Sequence, residues 1–185
     1  MPKMKTVLTY NIRNATTDDG EVDFADVVRT IHQTDADFIA LQELDSVTNR
    51  SKGKDVLREL AVLSRYYPIY CSSIDYDGGK YGLGILSKQQ PMAVRKVALP
   101  GREEARVMLV AEFQDIVLAC THLSLTAEDR MESAQIILNE ARQSSKPFLL
   151  AGDFNSTPES DFIEEIESDF TVLSPKDKHT YPARS

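Results

Sequence analysis

The chain has 185 residues, of which 42% are hydrophobic and 27% charged, and its formal net charge is −8. This is the composition of a globular protein, and it argues against disordered, collagen-like and low-complexity chains. The length suits one domain, which we take as residues 1–185. No apolar run approaches the ~18 residues of a transmembrane helix, and the basic N-terminus lacks the apolar segment of a signal peptide. A signal peptide that had been removed would leave no trace in the sequence, so the compartment stays open and a cytoplasmic location is only the default expectation.

The first third of the chain predicts two strands and two helices. Strands are expected over residues 5–11 and 37–43, where short apolar runs end in polar residues. Apolar residues at helical spacing predict a helix after each strand, and Asp23 is the expected N-cap of the first. The two apolar faces consist of Phe24, Val27, Val28 and Ile31 in the first helix and of Val56, Leu57, Leu60 and Leu63 in the second.

The middle of the chain reads as a block of strands separated by turn-forming residues. The turns contain Asp77-Gly78-Gly79, Pro100-Gly101 and Gln114-Asp115, which favour antiparallel hairpins. The strands are expected over residues 67–74, 81–87, 92–99, 105–113 and 116–122.

The last part of the chain predicts a third helix, a buried strand and a short fourth helix. The third helix is expected over residues 126–142, with Thr126 and Asp129 at the spacing of a capping box. The strand is expected over residues 147–151, and the fourth helix over residues 158–166 with Ser156 or Thr157 near its cap. Helices at both ends of a block of strands imply an α+β protein with packed sheets and outer helices.

The two cysteines, Cys71 and Cys120, lie far apart in apolar, strand-like runs. A disulfide between them is one interpretation. Buried free thiols are the expected state, because a free cysteine packs as a small hydrophobic residue.

Polar side chains stand at the ends of four predicted strands. Each has a simple alternative: Asn11 as a turn residue, Glu43 as a solvated strand end, His122 as a core histidine, and the Asp153 to Asn155 segment as a turn. The same pattern at four strand ends favours one shared site. Carboxylates and amides with an imidazole suit a hard cation such as Mg²⁺ and reactions at an anionic phosphorus centre.

The ordered motifs resemble the endonuclease/exonuclease/phosphatase family, the deoxyribonuclease-I-like superfamily of metal-dependent phosphoesterases. The resemblance implies a four-layer α/β/β/α sandwich of two mostly antiparallel sheets with helices outside. The motifs are Thr9-Tyr10-Asn11-Ile12-Arg13, Leu41-Gln42-Glu43, Tyr81-Gly82-Leu83-Gly84-Ile85-Leu86-Ser87, Thr121-His122 and Ala151-Gly152-Asp153-Phe154-Asn155-Ser156-Thr157-Pro158.

The same resemblance assigns an expected role to each site residue. Glu43 is similar to the family's metal-binding glutamate, for Mg²⁺ or alternatively Mn²⁺, and Asn11 to the asparagine that ligates or positions the metal. His122 is similar to the histidine that binds the phosphate, and Asp153 to the aspartate that orients or deprotonates the attacking water. Asn155 is similar to the asparagine that supports the phosphate oxygen.

Arg106 is a weaker candidate for substrate binding. It stands where many members of the family carry an arginine near the site. An ion pair at the surface with Glu103 or Glu104 is an equally good interpretation of the sequence.

The C-terminal end departs from the family pattern. Members of the family end with an aspartate-bearing strand and a Ser-Asp-His element, whereas residues 179–183 resemble the segment just before that strand. His179 and Asp169 are therefore not expected to replace the missing groups, and His32 is expected on the surface. Either the sequence lacks its C-terminal strands, or the protein is naturally short with an incomplete site.

The leading hypothesis is a phosphoester hydrolase that uses a metal ion and in-line attack of water. The acidic balance favours a small or lipid-derived phosphoester over duplex DNA, since DNA-binding proteins expose basic surfaces. A repair-type endonuclease or exonuclease is one alternative, and a non-catalytic binding or scaffold relative is another. A full-length chain is expected to be a monomer without a transmembrane segment.

Overall fold

A computed structural model describes residues 4–17, 20–178 and 180 of the chain. The described elements follow the predicted alternation, with one 3₁₀ turn at Arg13–Ala15 after the first strand. The strands are β1 (Val7–Asn11), β2 (Phe38–Ser46), β3 (Tyr67–Tyr76), β4 (Gly79–Ser87), β5 (Ala93–Leu99), β6 (Arg106–Glu112), β7 (Val117–His122) and β8 (Phe148–Asp153). The helices are α1 (Ala25–Thr34), α2 (Val56–Ser64), α3 (Ala127–Arg142) and α4 (Asp161–Ile166).

The eight strands form two four-stranded sheets. The first sheet has the order β1-β2-β4-β3, and the second has the order β5-β6-β7-β8. Neighbouring strands are antiparallel except for two parallel pairs, β1 with β2 and β7 with β8. The expectation of two mostly antiparallel sheets is confirmed, and the middle strands form the predicted hairpins β3–β4, β5–β6 and β6–β7.

Three apolar clusters define the layers. A cluster that includes Phe38, Ile85, Leu109 and Leu118 joins the inner faces of the two sheets. A second cluster packs α1 and α2 on the first sheet, and a third packs α3 and α4 on the second. This is the predicted α/β/β/α order, with helices outside both sheets.

Both cysteines contribute to the layer between the sheets. Cys71 and Cys120 are buried and free, as expected. Burial raises the pKa of the Cys120 thiol to about 12, so the group stays protonated.

Some predicted helix details are wrong. Leu63 is 50% exposed, because α2 buries Leu60 and Ala61 on the face toward the sheet. The capping box at the start of α3 is absent: Thr126 makes no side-chain cap, and Asp129 accepts the backbone N–H of Arg102 at 2.8 Å instead.

The start of the fourth helix is also later than predicted. α4 is capped by Ser160, whose hydroxyl accepts the Ile163 N–H, rather than by Ser156 or Thr157. The N-cap of α1 is Phe24 rather than the expected Asp23, although Asp23 Oδ1 accepts the Ala25 N–H at 2.7 Å just before the helix. Within the described residues, no helix is both long enough and apolar enough to span a lipid bilayer.

Candidate functional site

Side-chain alternation carries the polar strand ends into the space between the sheets. In β7, Leu118 and Cys120 point into the inter-sheet core, so His122 extends the same row. In β8, Ala151 points into that core and Asp153 extends its row. His122 and Asp153 are also register partners across the parallel β7–β8 pair. The two side chains therefore meet at one end of the inter-sheet cleft.

Glu43 reaches the same cleft through a bulge in β2. Strict alternation would place Glu43 on the helix-facing side with Leu41. Instead the register with β4 shifts between Leu41 and Leu44, and Glu43 has a positive φ of 60°. Leu41 and Leu44 both pack in the helix-side cluster, which the two-residue alternation alone would forbid. The bulge thus turns Glu43 toward β1, a common use of bulges beside functional sites.

Asn11 joins the carboxylates of the two sheets. Its Nδ2 donates to Glu43 Oε1 at 2.8 Å and to Asp153 Oδ2 at 3.1 Å. Its Oδ1 accepts the backbone N–H of Arg13 at 3.1 Å. Because an amide nitrogen carries two N–H groups, one side chain holds both carboxylates.

His122 lies beside Asp153 in a partly desolvated position. Its Nε2 is 3.8 Å from Asp153 Oδ2, and its side chain is 12% exposed. Burial lowers the pKa of His122, and Arg106 lowers it further, while Asp153, Glu43 and Glu104 oppose the shift. The net effect favours a neutral imidazole at this position.

Asn155 forms the turn that supports Asp153. Its backbone N–H donates to Asp153 Oδ1 at 3.0 Å, and its Nδ2 donates to the carbonyl of Leu123 at 2.8 Å. Its φ of 47° is left-handed, a conformation that asparagine tolerates in turns. The turn interpretation of this segment is therefore correct, and the turn also fixes the carboxylate at the end of β8.

Arg106 is buried, whereas Glu104, its expected ion-pair partner, is partly exposed. Its Nη1 lies 3.1 Å from Glu104 Oε1, and its side chain is 8% exposed. Its Nε is buried without a hydrogen-bond partner among the described residues. Gly101 permits this placement, because a Cβ there would lie 2.7 Å from Arg106 Cγ. An unpartnered buried donor near His122 suits an anionic ligand.

Sequence reasoning missed Tyr81, which belongs to the same end of the cleft. Leu83 and Ile85 of β4 point into the inter-sheet core, and Tyr81 continues their row. Burial raises its pKa strongly, and the nearby Glu43 and Glu104 carboxylates add to the shift. The phenol therefore stays protonated and can donate a hydrogen bond. The two-residue alternation of β4 could have predicted that Tyr81 faces the same side as Leu83 and Ile85.

Gln42, by contrast, is a structural residue. It is buried, and its Nε2 donates to Ala40 O at 3.2 Å, to Thr9 Oγ1 at 3.3 Å and to Cys120 Sγ at 3.5 Å. These contacts tie the two sheets together just below the site.

The remaining sequence candidates lie elsewhere. His32 is exposed on α1, as expected. Asp169 pairs with Arg142 at 2.5 Å, away from the strand ends. His179 lies outside the described residues.

The donor set suits a hard divalent cation. Among residues 4–17, 20–178 and 180, no group of three or more His, Cys, Asp and Glu side chains forms a ready-made metal cage. Glu43 and Asp153 instead supply carboxylate oxygens linked through Asn11. Mg²⁺ commonly takes one or two protein carboxylates and fills its remaining positions with water and substrate oxygens. The residues present therefore fit Mg²⁺.

Comparisons with known proteins agree with the fold. The model of the endonuclease/exonuclease/phosphatase family matches residues 8–182. A search of curated protein sequences returned no significant match.

Several solved structures share the fold at low sequence identity. The endonuclease/exonuclease/phosphatase from Beutenbergia cavernae has a TM-score of 0.72 at 22% identity, with 89% of this chain and 52% of that chain covered. A family protein from Bacteroides thetaiotaomicron has a TM-score of 0.73 at 17% identity, with coverages of 91% and 69%. The human Nocturnin catalytic domain with bound sulfate anion has a TM-score of 0.65 at 15% identity, with coverages of 89% and 70%.

Proposed function

Because the chain belongs to the endonuclease/exonuclease/phosphatase family, whose members are typically hydrolases, we propose that it is a Mg²⁺-dependent phosphoester hydrolase. The observation that carries the proposal is the double hydrogen bond from Asn11 to Glu43 and Asp153, at 2.8 and 3.1 Å. Through it, strand ends from both sheets converge with His122 in one cleft. A purely structural role does not explain why the carboxylates of Glu43 and Asp153 lie close together where both are partly exposed to solvent.

In this proposal Glu43 holds the cation, and Asn11 orients the Glu43 carboxylate. The cation, Mg²⁺ or alternatively Mn²⁺, would offset the negative charge that builds up on the phosphoryl oxygens. Asn11 also keeps Glu43 and Asp153 at a fixed separation despite their like charges.

Asp153 is the proposed base for the attacking water. Its Oδ1 accepts the Asn155 N–H at 3.0 Å, and its Oδ2 accepts the Asn11 amide. These two bonds orient the carboxylate, so that a lone pair can accept a proton from water within hydrogen-bond distance. Asn155 therefore acts in part through the position of Asp153.

His122 and Arg106 are the proposed phosphate-binding groups. A neutral His122 with one ring N–H can donate to a phosphoryl oxygen while the other ring nitrogen accepts. Arg106 offers its unpartnered Nε and a fixed positive charge beside it. Donors that are already oriented in a buried site stabilise charge as it develops, which is the main catalytic effect for phosphoryl transfer.

The proposed substrate is small rather than duplex DNA. The chain carries 29 acidic and 21 basic residues, and Glu43, Asp153 and Glu104 surround the site with negative charge. A small or lipid-derived phosphoester needs only the local donors and one cation.

Hydrolysis of a generic aryl phosphodiester with and without Mg²⁺ or Mn²⁺ tests the proposal. Asp153→Asn and His122→Ala should each lower turnover by ~10²-fold or more, the usual size of a lost acid–base or electrostatic group. Circular dichroism should show an intact fold, because both side chains lie at strand ends outside the apolar clusters.

Matched controls are His32→Ala on the exposed face of α1 and Asp115→Asn in the exposed turn before β7. Both should retain wild-type turnover. Near-normal activity of Asp153→Asn or His122→Ala would remove that residue from the mechanism. Absence of metal-stimulated hydrolysis in the wild-type protein would overturn the proposed function.

A further inference from the structure

Arg50 is the centre of an aromatic cluster beside the candidate site. Its guanidinium carbon lies 4.4 Å from the ring centroid of Tyr76 and 5.6 Å from that of Tyr81. The two rings are 6.1 Å apart and tilted by 51°. We refer to Arg50, Tyr76 and Tyr81 together as the Arg50 platform.

The guanidinium plane of Arg50 is fixed by the buried Asp45 and by Asn14. Nε donates to Asp45 Oδ2 at 2.6 Å, and Nη2 donates to Asp45 Oδ1 at 2.8 Å and to Asn14 Oδ1 at 3.0 Å. Asp45 is fully buried, and Thr48 Oγ1 donates to it at 2.8 Å. A two-point arginine–carboxylate pair sets the orientation of the guanidinium. The flat face of Arg50 is therefore organised before any ligand arrives.

The platform adjoins the candidate site and is open to solvent. Tyr81 lies on the inter-sheet row and is the register partner of Asp45, two residues after Glu43 in β2, while Tyr76 is 41% exposed at the end of β3. The Arg50 side chain is 36% exposed. A shallow groove of about 730 Å³ runs beside Tyr76, lined by residues 46–47 and 75–80. Through Tyr81, a planar group on the platform would lie beside a phosphoryl group held near Glu43.

We propose that the Arg50 platform binds a planar aromatic group of the substrate, such as a nucleobase or an aryl leaving group, by stacking. Aromatic faces and guanidinium planes stack on any planar π-system, including every nucleobase. The inference rests on the proposed function, because it names the part of a phosphoester that would lie beside the phosphoryl group. It narrows the substrate class to small aromatic phosphoesters.

Calorimetry with adenosine 5′-monophosphate and ribose 5-phosphate in Mg²⁺ buffer tests the proposal without requiring turnover. The wild-type protein should bind the nucleotide about tenfold or more tightly than the sugar phosphate. Tyr76→Leu should lose about tenfold in nucleotide affinity and keep its affinity for ribose 5-phosphate. Tyr76→Phe, which retains the ring, should keep the nucleotide preference.

Tyr67→Leu is the matched control. Tyr67 begins the same strand, is 46% exposed, and lies at the opposite end of β3 from Tyr76. It should change neither affinity.

Equal affinity of the wild-type protein for the two ligands would overturn the proposal, even if Tyr76→Leu failed to fold. Equal losses in Tyr76→Leu and Tyr67→Leu would also overturn it and leave the cluster as a structural anchor for the segment after β2. A wild-type protein that prefers the nucleotide but hydrolyses no phosphoester would support the platform and overturn the proposed function.

Discussion

At the scale of single residues, Asn11 has the most concentrated set of contacts in the site. It lies at the end of β1 in one sheet, yet it bonds Asp153 at the end of β8 in the other. Its two N–H groups bind two carboxylates, and its oxygen binds a backbone N–H from the following turn. Asn11 contacts one oxygen of each carboxylate, so Glu43 Oε2 and the second lone pairs of the Asp153 oxygens can accept further partners. A cation is the partner that two neighbouring carboxylates favour most.

We expect Glu43→Gln to weaken Mn²⁺ binding by ~10-fold or more, because the substitution replaces a charged oxygen ligand by a neutral amide. Isothermal calorimetry on the metal-free protein measures this directly. Glu59→Gln on the exposed face of α2 is the control and should bind the metal as the wild type does. Equal binding by wild type and Glu43→Gln would rule out Glu43 as a ligand.

At the scale of secondary-structure elements, hydrogen bonds join the loop before β6 to the loop after β7, next to the site. Glu103, before β6, accepts the Thr126 N–H at 2.9 Å and lies 2.8 Å from the Ser124 hydroxyl. Arg102 donates its backbone N–H to Asp129 at the start of α3. These bonds link the loop that precedes Arg106 to the loop that follows His122. The relative position of the two proposed phosphate-binding side chains therefore depends on this connection.

The connection gives a defined pH dependence of stability. The Ser124 hydroxyl, with Thr126, lowers the pKa of Glu103 from its ordinary value of 4.5 to about 2. A carboxyl whose pKa is depressed on folding contributes stability above its unfolded pKa and loses it as the pH falls toward its folded pKa. We expect the difference in melting temperature between wild type and Glu103→Gln to be largest near neutral pH. It should shrink between pH 4.5 and pH 2.

Thermal unfolding followed by circular dichroism at a series of pH values checks this expectation. Glu132→Gln, on the exposed side of α3, provides the control and should show no such convergence with the wild type. If the melting temperatures of the wild type and Glu103→Gln differed by the same amount at every acid pH, the carboxylate charge of Glu103 would not contribute to folding stability.

The periodicity of apolar residues was sufficient to predict which helices and strands exist and in what order. It was not sufficient to predict where they begin and end. The two-residue and helical repeats identify a strand or helix because they reflect which side chains face the core. Caps depend on contacts from other segments, which explains why Asp129 bonds Arg102 rather than the first turn of α3. The bulge at Glu43 requires a positive φ at a glutamate, which no local pattern indicates.

At the scale of the whole molecule, the site depends on how the two sheets face each other. The polar strand ends were visible in the sequence, and the sandwich brings Asn11, Glu43, His122 and Asp153 to one end of the cleft. The sequence could not give the surroundings of Arg106 and Tyr81, which depend on contacts with other segments. The burial of Arg106 depends on the close approach of Gly101, and the proximity of Tyr81 to Glu43 depends on the pairing of β2 with β4.

The charge of the whole molecule leads to a prediction about long substrates. A duplex is held mainly by contacts between basic side chains and many phosphates, with release of condensed cations. Here acidic residues outnumber basic ones by 29 to 21, and the proposed site itself contains Glu43, Asp153 and Glu104 with Arg106. Phosphates that flank a reacting group would therefore face repulsion rather than attraction.

We expect a short labelled DNA duplex to bind with a dissociation constant of ~10⁻⁴ M or weaker at about 150 mM salt, as measured by fluorescence anisotropy. A steep gain in affinity at low salt would reveal a local basic surface, whereas a shallow dependence would match the acidic balance of the chain. The same duplex with an abasic site or a nick is the informative comparison, because a repair nuclease recognises the lesion rather than the intact helix. Tight, lesion-dependent binding would contradict the small-substrate proposal and favour a repair nuclease. The site would then have to receive an extruded nucleotide, and the Arg50 platform would offer it a stacking surface.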